Sequence, residues 1–223
     1  MGRVRVRQHV NPLSQKYCSV LETPDWAKIY RNLQQPLHLD IGCARGKFLL
    51  QMAQVQPDIN FLGVEIREVL VMEANEIRDR LELGNLHFLF GNMNTSALSL
   101  LSSFNQPIAT VSIQFPDPWF KQRHSKRRVV QPELVQAIAQ FLAPDGRVFL
   151  QSDVESVAME MRDRFAENPH FKQTYPETWL AKNPLPVPTE RETACFNLNR
   201  PVYRVLFEKV NKANCIVITD NPL

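Results

Sequence analysis

From residue 37 onward the chain alternates short apolar runs with longer amphipathic stretches, and that alternation restricts its fold more than any other feature. Strands separated by helix-length segments lie parallel, because a crossover of about a dozen residues is what returns the chain to the same end of a sheet. Leu37 to Ile41 is the first run. Gly46 then opens a helix with Phe48, Leu49, Met52 and Val55 at helical spacing until Pro57. Asn60 to Ile66 reads as a second strand, followed by a helix from about Arg67 to Leu83 that stops at Gly84. Leu86 to Phe90 and Ile108 to Phe115 are the third and fourth strands, with a helical or irregular stretch around Ser96 to Phe104 between them.

Pro132 starts a helix that Pro144, Asp145 and Gly146 end. Arg147 to Gln151 is a fifth strand, and Ser152 with Asp153 caps a helix to about Phe165. Five prolines between 169 and 188 predict an extended loop, and Val202 to Glu208 and Ile216 to Thr219 read as late strands. Residues 1–36 show no clear period. They are expected to form an arm, partly mobile or wrapped on the core, beside a single domain over 37–223.

Glycine is scarce, seven in 223 residues where about 7% is usual, so its placement is informative. Only the window 42–46 holds two glycines within five residues. In LDIGCARGKF, the residues Asp40, Gly42, Ala44 and Gly46 fall at the junction from first strand to first helix, where open α/β sheets bind ligands. Glu65 stands at the end of the second strand, where an acid accepts hydrogen bonds from a ribose diol. A nucleoside cofactor follows; the plainer alternative is a small-residue turn beside a solvated Glu65.

Two cofactor classes compete for this window. A nicotinamide dinucleotide brings an anionic pyrophosphate and calls for G-x-G-x-x-G, but the last glycine here falls one residue early and the anionic Asp40 precedes it. S-adenosyl-L-methionine brings a cationic sulfonium and ammonium, which Asp40 suits. Asn92, just past the third strand, is a candidate for the adenine edge, or simply a turn residue after Gly91.

The least ordinary segment is FPDPWFKQRHSKRR, Phe115 to Arg128. Pro116 and Pro118 stiffen the loop holding Asp117 and Trp119 at the end of the fourth strand. Lys121, Arg123, Lys126, Arg127 and Arg128 follow within eight residues with no acid among them, as a phosphate backbone requires. A solvated loop with Trp119 and Phe120 packed beneath it is the alternative. Arg3, Arg5 and Arg7 form a weaker cluster, and the net charge is +3. Together these features suggest a nucleic-acid methyltransferase, against a non-catalytic RNA-binding module or a nicotinamide oxidoreductase.

Cys18, Cys43, Cys195 and Cys215 are far apart and lack metal-ligand spacing, so a reducing cytosol is expected, with neither a disulfide framework nor a zinc site. No run approaches the roughly 18 apolar residues of a membrane span, and the basic N-terminus lacks a signal-peptide core.

PDPWFKQRHSKRR, taken with DIGCARG, GVE and the TERE of residues 189–192, resembles the bacterial tRNA (guanine-N7-)-methyltransferases over about Leu37 to Glu208. The resemblance implies a Rossmann-like S-adenosylmethionine-dependent methyltransferase fold, a mostly parallel seven-stranded sheet with helices on both faces. It also implies methyl transfer to N7 of the variable-loop guanosine at tRNA position 46, in the cytoplasm, by a monomer or homodimer without metal or membrane partner. Asp40, Gly42, Glu65, Asn92 and Asp117 then correspond to cofactor-contacting positions, with Asp117 also the catalytic acid. Lys121, Asp153, Thr189 and Glu192 correspond to substrate-contacting positions, and Arg123, Lys126, Arg127 and Arg128 would hold the RNA backbone. The T-x-x-E of Thr189 and Glu192 is equally a helix capping box. Two departures stand out: Ala44 where the family commonly has glycine, and Asn92 where an acid is frequent.

Overall fold

The computed structural model describes residues 10–210. The expected strand Ile216 to Thr219 and the Arg3, Arg5, Arg7 cluster lie outside the described residues. Seven strands form one sheet: β1 (Leu37–Ile41), β2 (Asn60–Glu65), β3 (Leu86–Phe90), β4 (Ile108–Gln114), β5 (Leu142–Ser152), β6 (Phe171–Gln173) and β7 (Tyr203–Lys209). Their order is β3-β2-β1-β4-β5-β7-β6. β1 to β5 are parallel, whereas β7 runs antiparallel between β5 and β6. Reversal of strand order on either side of β1 opens a crevice at the carboxyl ends of β1 and β4, the switch point of such sheets.

The helices are α1 (Trp26–Ile29), α2 (Lys47–Val55), α3 (Glu68–Arg80), α4 (Met93–Ser102), α5 (Pro132–Phe141), α6 (Glu155–Ala166) and α7 (Glu190–Asn197). All five residues of β1 and all six of β2 are buried, as expected of strands covered on both faces. One apolar cluster, centred on Leu39, Leu100, Val111, Ile138 and Phe165, includes Trp26 and Tyr30 from the arm. The second packs Leu49, Met52, Phe61 and Phe88 between α2, β2 and β3. The described part of the arm, residues 10–36, is thus tied into the core. Trp26 donates its indole N–H to Ser103 Oγ at 3.0 Å, and Tyr30 its hydroxyl to the Phe61 carbonyl at 3.1 Å.

Several boundaries differ from the sequence expectation for local reasons. β5 begins at Leu142 rather than Arg147, because Leu142 pairs with Ile108 and the intervening Pro-Asp-Gly turn bulges out. The helix after β5 starts at Glu155, and Ser152 Oγ accepts from the Val154 N–H instead of capping the helix itself. The proline-rich stretch contains β6, three residues held on the outer edge of β7.

Gly46 caps α2 at φ 68°, a left-handed conformation, and a Cβ there would lie 2.5 Å from the Phe88 ring. Gly46→Ala is therefore expected to cost about 2 to 3 kcal/mol, from backbone strain and overpacking together. Urea unfolding checks this; an unchanged midpoint would mean that neither the left-handed backbone nor the Phe88 contact costs anything.

Candidate active site

The strand register places the singled-out acids along one edge of the sheet. Asp40 lies in β1 beside Ser112 of β4, Glu65 ends β2, Asp117 follows β4 and Asp153 follows β5. β7 runs the other way, so its first residue, Tyr203, pairs with Ser152 and brings the preceding α7, with Thr189 and Glu192, to the same edge. Residues from Asp40 to Glu192 thus converge.

Asp40 is 4% exposed, and Ser112 and Gln114 both donate to its Oδ1, at 2.6 and 3.2 Å. Ser112 Oγ in turn accepts from His38 Nε2 at 2.9 Å, a direction set by Ser112 giving its only proton to Asp40. Burial pushes His38 down to about 3, so its ring is neutral. Burial, the dominant effect, pushes Asp40 up to about 6, and the charge of Glu65 adds to it against the two hydrogen bonds. A carboxylate in that position is stabilised by a cation.

Glu65 is buried and takes four donors. Ala44 N–H reaches Oε2 at 2.9 Å, and Arg67 contributes its N–H at 3.0 Å and Nε at 2.8 Å to Oε1 and its Nη2 at 3.0 Å to Oε2. The two backbone donors fix the carboxylate, and a ribose diol would bond to it by displacing the Arg67 guanidinium from the lone pair it takes on each oxygen. Arg67 is pushed up chiefly by its hydrogen bonding to Glu65 and further by the charge of Asp117. Glu65 and Asp117 therefore share one electrostatic neighbour.

The turn between Asp40 and α2 supplies the open space. Gly42 adopts φ 84°, and nothing lies within 4 Å of where a Cβ would stand. Ala44 is also left-handed, at φ 50°, a conformation costing about 1–2 kcal/mol in a residue with a Cβ, and its N–H is the one that holds Glu65. An open backbone at Gly42, a buried carboxylate in need of a cation and a fixed diol acceptor fit S-adenosyl-L-methionine. A pyrophosphate would meet Asp40 instead.

Asn92 is turned to structural work. Its Oδ1 accepts from the Asn94 N–H at the start of α4, and its two amide protons go to the carbonyls of Pro12 and Tyr17. An acid could not hold the arm this way, which gives the departure at this position a physical reason. One lone pair on Oδ1 is what remains for an adenine contact.

The Asp117 loop is half-buried and braced. Phe115 and Trp119 on either side adopt φ 50° and 42°, strained for residues with a Cβ at about 1–3 kcal/mol each. The basic run divides: Lys121, Arg123 and Lys126 are exposed, whereas Arg127 and Arg128 are half-buried. Arg127 lies 5.0 Å above the Trp119 ring, and His124 packs edge-on to the same ring at 5.6 Å. Arg128 donates to the carbonyls of Pro118 and Trp119 and pairs with Glu160 of α6. Charge and spacing alone assign all five cations to RNA; the structure turns two of them inward.

Thr189 caps α7, accepting from the Glu192 N–H at 3.1 Å, so half of the capping box forms. The Glu192 carboxylate does not close the box. It is 6% exposed and takes Arg204 at 2.7 Å, Asn183 at 2.7 Å and Gln151 at 3.2 Å. Gln151 also donates to Gln114 at 2.8 Å, which completes a hydrogen-bonded row from Asp40 to Glu192. Asp153 is paired with Arg191 of α7, with its nearer contact at 2.5 Å. Sequence reasoning missed Ser112, Gln114, Gln151, Asn183, Arg204, Arg67 and Glu160; alternation on β4 marks Ser112 and Gln114 as same-face neighbours, but only strand order puts them beside Asp40.

Among the described residues, no helix is long and apolar enough to cross a membrane, and no group of three or more His, Cys, Asp or Glu side chains could hold a metal ion. Cys18, Cys43 and Cys195 are free thiols.

Comparison with known proteins bears on this geometry. The family described as "Putative methyltransferase" matches residues 34–205. The tRNA (guanine-N(7)-)-methyltransferase of Synechocystis sp. is 66% identical over 94% of this chain and 99% of its own length. The protein of the same name from Microcystis aeruginosa is 62% identical over 93% and 99%. Among solved structures, PKMT2 of Rickettsia typhi in complex with AdoHcy superposes with a TM-score of 0.52 at 13% identity, covering 82% of this chain and 50% of that one. A SAM-dependent O-methyltransferase of Thermotoga maritima gives 0.50 at 15% identity, covering 83% and 62%. These two likenesses bear on the fold alone.

Proposed function

The chain belongs to the tRNA (guanine-N(7)-)-methyltransferase family, and from that premise we infer that it moves a methyl group from S-adenosyl-L-methionine to N7 of a tRNA guanosine, the one in the variable loop. The observation that carries this reading is the convergence of Asp40, Glu65, Asp117 and Glu192 on one edge of the sheet, beside an exposed set of cations. Bound S-adenosyl-L-methionine supplies an electrophilic methyl on a positively charged sulfur. Asp40 would hold its cationic end, Glu65 its ribose diol, and Gly42 the face that lies against the turn.

Guanine N7 carries an in-plane lone pair and no proton, so no side chain has to act as a base at the reacting atom. The protein's task is to line N7 up with the methyl–sulfur bond and to accommodate the positive charge that arises on the purine. Asp117 would face that charge, and Thr189 and Glu192 would take the N1–H and N2–H edge of the base only if the Glu192 carboxylate gives up part of its hold on Arg204, Asn183 and Gln151. Lys121, Arg123 and Lys126 would take phosphates, contacts that position an RNA without reading it. N7 faces the major groove and enters tertiary pairing in folded RNA, so the base has to be exposed before it reaches Asp117. The cytoplasm, where tRNA is processed, is the compartment this reading implies.

The test uses labelled cofactor and unmodified tRNA, followed by borohydride and aniline. Strand cleavage at a variable-loop guanosine is expected. Label at another atom would overturn the assignment to N7, and absence of cofactor binding by calorimetry would favour a non-catalytic RNA-binding module.

A further inference from the structure

We propose that Arg128 is a positioning residue for Asp117 and not a contact to RNA, a role that rests on the function inferred above. Arg128 closes the basic run, yet its side chain is 18% exposed, and its guanidinium reaches back ten residues to the loop that carries Asp117. Nε donates to the Pro118 carbonyl at 3.1 Å and Nη2 to the Trp119 carbonyl at 3.2 Å, while Nη1 pairs with Glu160. One planar fork thus grips the carbonyls of the two residues that follow Asp117 and ties them to α6. Its own backbone is pinned as well: the Arg128 N–H donates to Ser125, and its carbonyl accepts from Gln131 and Asn94.

The loop needs such a grip. Phe115 and Trp119 both sit at positive φ, so the peptide between them would relax if nothing opposed it. Prolines 116 and 118 stiffen the loop but supply no N–H with which to tie it down. The two carbonyls that Arg128 takes are handles that the prolines leave in place. Arg127, stacked on Trp119, braces the same segment from its ring face. A lysine would keep the charge at 128 but not the fork that spans two carbonyls and a carboxylate at once.

Three variants separate positioning from phosphate contact: Arg128→Lys, Glu160→Gln and, as the exposed comparator, Lys126→Ala. The measurements are the single-turnover transfer rate at saturating tRNA and the tRNA dissociation constant across a salt series. Arg128→Lys is expected to slow transfer by about 10- to 100-fold, the penalty of a displaced reacting geometry, with tRNA affinity within about twofold and an unchanged salt slope. Glu160→Gln should slow transfer in the same direction without tightening binding. Lys126→Ala should weaken tRNA binding and lower the salt slope by about one.

The proposal is overturned if Arg128→Lys transfers at the parent rate, or if Glu160→Gln tightens tRNA binding, as freeing a phosphate-seeking cation would. If Arg128→Lys does not fold, Glu160→Gln decides the matter alone. Amide exchange at Asp117, Trp119, Phe120 and Lys121 decides independently of turnover: faster exchange in both variants at an unchanged global unfolding midpoint supports the clamp, and unchanged exchange refutes it. A wild-type protein that methylates no tRNA would instead strike at the functional reading, and the exchange result would still stand.

Discussion

Asp117→Asn is expected to lower the transfer rate at saturation by about 10²- to 10³-fold, the range found when one preorganised electrostatic partner of a transition state is removed. tRNA affinity should stay within about threefold, because the cations proposed to meet phosphates are other residues. The comparison with Asp117→Ala distinguishes the two roles open to this side chain. Asparagine keeps an oxygen that can accept from the guanine N1–H or N2–H but removes the charge. If stabilising the purine's positive charge dominates, Asn and Ala lose similar amounts; if holding the base dominates, Asn retains at least tenfold more activity than Ala. Asp117 also attracts Arg67, so its loss releases part of the hold on the guanidinium that covers Glu65, and cofactor affinity should rise or fall only slightly. Full transfer by Asp117→Ala would remove Asp117 from the mechanism.

The residues legible in the sequence are those whose position follows from their place along a strand. The β/α alternation located β1 to β4 to within a residue, and with them Asp40, Glu65 and Asp117 at or just past strand ends; burial on both faces makes the apolar runs of β1 and β2 the least ambiguous. What stayed illegible depends on partners far away in the chain. Arg128 looks identical to Arg123 and Lys126 until Glu160, 32 residues later, comes beside it. Glu192 reads as a capping residue until β7, running antiparallel, brings Arg204 and β5 brings Gln151 to its carboxylate. β6 could not be read because three residues on an edge strand carry no period, and its hold on the sheet comes from pairing with β7. The arm, which has no period either, joins the core through Trp26 and Tyr30, two aromatics whose burial outweighs the irregular backbone between them.

Asp40→Asn should make the free protein more stable at neutral pH and at the same time weaken its hold on S-adenosyl-L-methionine, two opposite effects with one cause. The folded chain raises the Asp40 carboxyl from 3.8 to about 6, chiefly by burial, so the native state binds the proton more tightly than the unfolded one. The stability tied to this group is therefore fully present below pH 3.8, declines as pH rises toward 6, and is absent above it. The loss amounts to about 3 kcal/mol, an upper figure. Asparagine carries no charge to bury, so urea unfolding should show the variant more stable than its parent at about pH 7.5 and equal to it near pH 3.5. His38, coupled through Ser112, titrates in the opposite sense but is present in both proteins, and the nearby Glu65 and Cys43 are likewise common to the pair. A cation placed against Asp40 reverses the balance, because the charge that burial disfavours then has a partner. Calorimetry should show cofactor affinity reduced by about 100-fold in Asp40→Asn, the scale of losing one member of a buried charge pair. In the parent, affinity should fall below about pH 6 by up to roughly tenfold per unit, with proton release on binding at about pH 5.5. Equal destabilisation at both pH values, or cofactor affinity untouched by the substitution, would show that Asp40 serves the sheet and not the ligand.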